Sequence, residues 1–390
     1  MTPVRLGPIG TFVPPTALTV AEATAAAGLP DAKARFYRDY LGFRDIPRST
    51  GHSLADMLTA AGREALRGTD PRAVRHVLYA HTHEEADPAG PRLLDGVRAA
   101  LGLDHAPAFS VGQMNCAAGL FALFLAGQVI EAAEGARPCR KGERAEALRN
   151  EGPRLRSICG YRRVVDRRQG LRRPGGESSS QEGADDESVL VLTGDRVARP
   201  EQATIPGVAV VADAAAACLV GPGVPGDLLL GSAFRTYGRF YRGFGGADPD
   251  REREYTRLYA PALAAVIGEA LEEAGTGLDG IRWIVPHNVN RLSWKGVAKE
   301  LGLPYSQVFL DNLPRLGHAN CADPYLNLAS LRAAGRLAPG HRYVLAAVGL
   351  GATFGAAVLE RDGGRGGRDG GPADGPGGGP GSGRGSDGEL

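Results

Sequence analysis

Residues 108–127, AFSVGQMNCAAGLFALFLAG, carry a short apolar strand through Asn115 into Cys116 and straight on into an alanine- and leucine-rich helix. A cysteine there stands at a helix N-terminus. Unpaired amide donors and the helix dipole at such a position favour the thiolate, which is the attacking form of a thiol. The same amides are placed to hold a developing oxyanion. A small cysteine among apolar neighbours is also an ordinary core residue, so the stretch takes its meaning from its combination with three others later in the chain.

Residues 281–290, IRWIVPHNVN, form an apolar strand that ends on Pro286 and delivers His287 at its carboxyl end, with Asn290 opening the next helix. An imidazole at a strand end can donate a hydrogen bond or relay a proton, though a histidine beside an apolar run is often structural. Residues 315–331, RLGHANCADPYLNLASL, place Gly317 and His318 in a turn before a helix. The plain alternative is a capping loop with Asp323 as N-cap and Pro324 at the first helical position. Residues 343–360, YVLAAVGLGATFGAAVLE, set Gly349, Gly351 and Gly355 around a strand-to-strand turn, where backbone amides can approach a ligand.

The chain of 390 residues is 43% hydrophobic with a formal net charge of +1, enough to bury a large core and too balanced to draw in nucleic acid or a membrane surface. Single cysteines at 116, 139, 159, 218 and 321 lack the paired spacing of a zinc site or the density of a disulfide scaffold. They read as reduced thiols. With neither a leader-like N-terminus nor an uncharged apolar run of about 18 residues, a cytoplasmic protein is expected.

Two segments differ in composition. Residues 136–188 are arginine-dense and then acidic, and read as a mobile surface insertion; residues 361–390 are dominated by glycine and read as a disordered tail. Elsewhere short β-branched runs alternate with amphipathic stretches, as in an α/β protein. Strands are expected at 76–79, 108–111, 189–192, 208–211, 281–285 and 343–348, and helices at 53–67, 91–101, 117–132, 255–274 and 290–301. In 255–274, Leu258, Ala262, Ala265, Val266 and Leu271 make a buried stripe.

The order of these features, Cys then HxxN then a Gly-His loop then a glycine hairpin, resembles the ketoacyl-ACP synthase III branch of the thiolase superfamily. The opening GPIGTFVPPTALTVAEA and the pair TGDRV and VVADAAAACLV are similar to the family's first strand and mid-chain junction. The resemblance implies a five-layer αβαβα thiolase fold of two pseudo-equivalent halves, 1–200 and 201–360, assembled as a homodimer. It implies that an acyl-CoA or acyl carrier protein loads Cys116, that His287 matches the family's HQAN histidine, with Asn288 and Val289 as departures, and that His318 stands where the family has asparagine. The amides of Cys116 and Gly351 would form the oxyanion hole, with Leu350 replacing the middle glycine, and Asn290, Arg44 and Arg48 would contact substrate. No metal or other cofactor is implied.

Two neutral imidazoles keep decarboxylative condensation with a malonyl-type carrier as the expected second step, in specialised metabolism. The alternative is acyl transfer to a hydroxyl or amine, with His287 or His318 as base. A reading of another class is a thiolase-like binding module without catalysis. Two features pull elsewhere: HTHEE at 81–85 has the HxH spacing of a metal site, and AFRTYGRFYRGFGG at 233–246 could be taken as RNA-binding material. Neither is expected to function so; the first lacks further ligands, and the second reads as a loop or flap. The basic insertion would suit an acidic carrier protein.

Overall fold

The structure is a computed structural model that describes residues 3–83, 92–135, 187–241 and 248–363. Residues 136–186 of the expected insertion and 364–390 of the expected tail lie outside the described residues. Ser188, expected from composition to end the insertion, opens a strand.

Among the described residues nine strands make one sheet: β1 Arg5–Phe12, β2 Val74–Ala80, β3 Ala108–Val111, β4 Ser188–Asp195, β5 Ala214–Gly221, β6 Asp227–Thr236, β7 Ile281–Pro286, β8 Arg342–Gly349 and β9 Thr353–Glu360. Their order across the sheet is β7-β8-β9-β6-β1-β5-β4-β2-β3. Read inward from one edge, β3, β2 and β4 are parallel, then β5 and β1 antiparallel. From the other edge, Val308 bridges β7 in parallel, β7 and β8 are parallel, and β9 and β6 antiparallel. The pattern therefore occurs twice, and the two copies meet where Arg5 pairs with Leu228 and Leu6 with Asp227. The first copy ends at Gly221 and the second begins at Asp227, later than the division at 200 expected from sequence.

Helices of the described residues cover the strands: α1 Leu54–Ala65, α2 Leu93–Leu101, α3 Ala118–Gly135, α4 Pro249–Glu273, α5 Arg291–Glu300 and α6 Asp323–Ala333. One buried cluster joins α1 and α2 to the first copy, and a second joins α4 and α5 to the other copy. A third places α3 and α6 between the two, against strands of both. That is a five-layer αβαβα thiolase arrangement. It explains why β4 and β5 are buried at every residue: with helices on both faces, a strand reads as a continuous apolar run. It also houses the segment Asn115–Ala133, which is long and apolar enough to cross a membrane but lies in this central layer.

Most expected elements stand within a few residues of their places. Helix α4 starts earlier, at Pro249, because the Asp248 side chain accepts from the Arg251 amide and proline fits the first helical position. Its buried face is Tyr255, Ala262, Leu263, Val266, Ile267, Ala270 and Leu271; Ala265 is exposed. The strand expected at 208–211 shortens to Ala209–Val210, paired with Thr204–Ile205.

Candidate active site

Cys116 sits in a single 3-10 turn, Asn115–Ala117, between β3 and α3. Asn115 has φ +48°, a conformation that asparagine tolerates better than most residues, and its Nδ2 donates to the Leu350 carbonyl at 2.6 Å. Gly349 fits against this turn only without a side chain: a Cβ there would lie 1.8 Å from the Met114 carbonyl oxygen. The other half repeats the motif, with Asn320–Ala322 forming a second Asn-Cys-Ala turn ahead of α6 and Asn320 at φ +52°. The two turns meet where Gly119 faces the Cys321 carbonyl oxygen, which a Cβ would approach to 2.4 Å.

His287 leaves β7 with its amide donating to the Ala346 carbonyl at 3.0 Å and its carbonyl accepting from Trp294 Nε1 at 2.8 Å. Its Nε2 lies 3.4 Å from Tyr259 Oη, and its Nδ1 is buried without a partner among the described residues. His318 is fixed by its amide to the Val210 carbonyl at 3.0 Å. The two imidazoles are 5.9 Å apart. His318 Nε2 stands 3.3 Å from Cys116 Sγ, and its Nδ1 stands 2.6 Å from Asp323 Oδ2. Cysteine, both histidines and the aspartate are buried.

Asp323 is the residue that sequence reasoning placed differently. Ala322 is the N-cap and Asp323 the first helical residue, with Pro324 behind it. Its carboxylate accepts from the Ala319 amide at 2.8 Å and the Asn288 amide at 2.7 Å besides His318. A helix N-terminus favours that anion. The signal in the sequence is its position five residues after His318 at the start of a helix, where the chain folds back on its own loop.

Charge is set by this geometry. Burial drives His318 downward, but the Cys116 thiolate and the Asp323 carboxylate beside it push harder the other way, to about 10. Among the described residues no carboxylate bonds His287; burial and the neighbouring His318 charge hold it well below its ordinary value of 6.5, so it is neutral. The cluster is therefore asymmetric, with one imidazole made to carry a proton and one that cannot.

A cavity of about 400 Å³ opens onto Cys116, His287 and His318, walled largely by apolar groups including Phe36, Val208 and Leu292. Asn290 lines it and caps α5, accepting from the Ser293 amide at 2.7 Å while donating to the Val208 carbonyl at 3.0 Å. Gly351 lies in the hairpin beside Leu350, at φ +132°. Arg44 and Arg48, expected to contact substrate, are not among the residues that line the cavity. Arg48 is a clamp instead, its guanidinium on buried Asp213 at 3.0 Å and the Val211 carbonyl at 2.9 Å. Arg44 is exposed.

Of the two competing features, both His81 ring nitrogens are engaged, Nδ1 with the His83 carbonyl at 2.9 Å and Nε2 with Ser110 Oγ at 2.5 Å. Among the described residues no group of three His, Cys, Asp or Glu side chains converges. Arg235 and Arg239 pair with Glu269 and Glu254. Residues 84–85 and 242–246 lie outside the described residues.

Residues 271–361 match the family model 3-oxoacyl-[acyl-carrier-protein] synthase III C terminal. The beta-ketoacyl-[acyl-carrier-protein] synthase III of Sphingopyxis alaskensis is 39% identical over 107 residues, 27% of this chain and 33% of the relative. That of Paramagnetospirillum magneticum is 36% identical over the same length and shares. The chain thus spans about a third of the length of the curated relatives it matches. Among solved structures, 3-oxoacyl-[acyl-carrier-protein] synthase III from Aquifex aeolicus superposes with TM-score 0.68 at 18% identity, covering 92% of this chain and 99% of that one. The acyltransferase ChlB3 superposes with TM-score 0.67 at 21% identity, covering 92% and 98%.

Proposed function

We propose that this chain, ketoacyl-ACP synthase III-like in its C-terminal sequence and thiolase-like in fold, is a ping-pong acyltransferase that carries the acyl group on Cys116 and works in the cytoplasm. The observation that carries the reading is the relay Cys116 Sγ–His318 Nε2–His318 Nδ1–Asp323 Oδ2, at 3.3 and 2.6 Å. An activated nucleophile, a base and a group that orients the base are the parts that covalent acyl transfer needs.

In the first half-reaction the Cys116 thiolate attacks the carbonyl carbon of an acyl-CoA or acyl-carrier thioester. The amides of Cys116 and Gly351 hold the oxyanion, the thioester C–S bond breaks, and the leaving thiolate takes the proton from His318. Asp323 then holds the remaining proton on Nδ1, so His318 Nε2 faces the acyl-enzyme as a lone pair. That tautomer accepts a proton. It suits an incoming hydroxyl or amine, which gives its proton to Nε2 as oxygen or nitrogen attacks and Cys116 leaves, restoring the starting pair. Transfer to a protic acceptor is therefore the reading that the geometry favours, ahead of the condensation expected from sequence.

Condensation remains as the second reading because of His287. Held neutral, it can donate to a malonyl thioester carbonyl as the enolate forms, and the curated relatives bear the name of condensing enzymes. A single chase experiment separates the two. Acyl-enzyme made from a short acyl-CoA is split between a panel of alcohols and amines and a malonyl carrier protein. Ester or amide without loss of CO₂ supports the first reading; a 3-oxoacyl carrier with CO₂ release replaces it by the second.

A further inference from the structure

Asn320 is 1% exposed and is held at φ +52° by the second Asn-Cys-Ala turn. It brings its carboxamide to the same sulfur as His318: Oδ1 lies 3.8 Å from Cys116 Sγ, while Nδ2 is buried with no partner among the described residues. An orphaned buried amide N–H costs about 1–3 kcal/mol and calls for an acceptor. The oxygen and nitrogen of a carboxamide exchange places by a half turn of the side chain. With a protonated thiol, the S–H donates to Oδ1. Once His318 holds the proton, the sulfur is an acceptor, and the turned amide presents Nδ2–H to it. The carbonyl then left unpaired is tolerated better than an orphaned N–H.

We propose that Asn320 is a further catalytic residue, donating an amide N–H to the Cys116 thiolate in addition to its role in shaping the turn. The inference rests on the proposed acyl transfer only in taking Cys116 as the nucleophile. It also gives the repeated motif a meaning: Asn115 braces the hairpin through Leu350, whereas its counterpart Asn320 is turned toward the sulfur of the other half.

The test needs no acyl donor. Iodoacetamide alkylation is followed at the Cys116 peptide by mass spectrometry, from pH 5 to 9, for the full-length chain and for Asn320→Asp and Asn320→Gly. Aspartate keeps the shape and tolerates φ > 0 without an N–H donor, and glycine removes the side chain without backbone strain. Loss of a hydrogen bond to the thiolate should move the midpoint of alkylation up by about one pH unit in both variants, which reads as about tenfold slower alkylation on the acid side of the native midpoint. Aspartate, which adds a negative charge, should move it further. Thermal melts establish folding, and if the glycine variant does not melt cooperatively the isosteric aspartate carries the test. Folded variants that alkylate within about twofold of the native chain across the range overturn the proposal. A chain that showed the expected profile yet never accepted an acyl group would sink the acyltransferase reading and leave only the Asn320 hydrogen bond to the Cys116 thiolate standing.

Discussion

Replacing Asp323 by asparagine keeps the side chain's shape while changing what His318 is. The carboxylate now accepts from four groups that come from two loops: His318 Nδ1, the Ala319 backbone amide, and the backbone amide and side-chain Nδ2 of Asn288. All four are donors. An asparagine has one acceptor oxygen, so its NH₂ must face at least one of them, and the imidazole is the partner able to adapt by moving its proton to Nε2. His318 would then present N–H to the sulfur, lose the charge of Asp323 and no longer favour the thiolate. A hydrogen bond to a charged group contributes about 1.5–3 kcal/mol, which corresponds to about 10- to 150-fold in rate. Single-turnover loading of Cys116 from an acyl-CoA, timed by quenched-flow and intact mass, should slow by that range. Part of the loss should return at high pH, where the thiolate forms without help from His318. Loading within about threefold of native in a folded Asp323→Asn protein would refute the relay.

The same geometry fixes three further outcomes. Because native His287 resists protonation while the unfolded chain takes a proton as pH falls through about 6.5, stability should fall below that pH by up to about 1.4 kcal/mol per unit. Melting of His287→Gln between pH 7.5 and 5 should lack this slope; superimposable profiles would contradict the assignment. Gly349→Ala drives a Cβ into the Met114 carbonyl, so a stability loss of about 1–3 kcal/mol or more and impaired Cys116 loading are expected together. Urea unfolding and the loading assay measure the two. Arg48→Gln leaves Asp213 buried and without its cation, at a cost of about 3–5 kcal/mol. Urea unfolding that matches native, combined with a raised KM for the acyl donor, would restore Arg48 as a substrate contact.

The fold was legible because its signals are redundant. Strands β7, β8 and β9 are near-continuous apolar runs, α1 is announced by Ser53 with Asp56 three residues on, and the strand-helix junction at Cys116 has a distinctive composition. Cys116, His287 and His318 were readable as strand ends and turns, positions where side chains reach a common point. What escaped was pairwise geometry. Asp323 looked like a cap because caps and first-turn acids use the same residue types, and only the fold shows its carboxylate facing back onto the His318 loop. Arg48 reads as a substrate contact because nothing in the sequence says that Asp213, 165 residues away, is its partner. Ala265 was counted with the stripe because alanine on a helix face is silent about which side it covers.

The central claim is that Cys116 carries an acyl group, and intact-mass spectrometry of the native chain beside Cys116→Ala tests it most directly. Each is incubated with a panel of short acyl-CoAs and acyl carrier proteins. A single acyl adduct is predicted on the native chain, mapped to the Cys116 peptide and absent from the variant. An adduct of equal yield on the variant, or none from any donor on a folded native chain, would contradict the claim and return the chain to the non-catalytic binding reading.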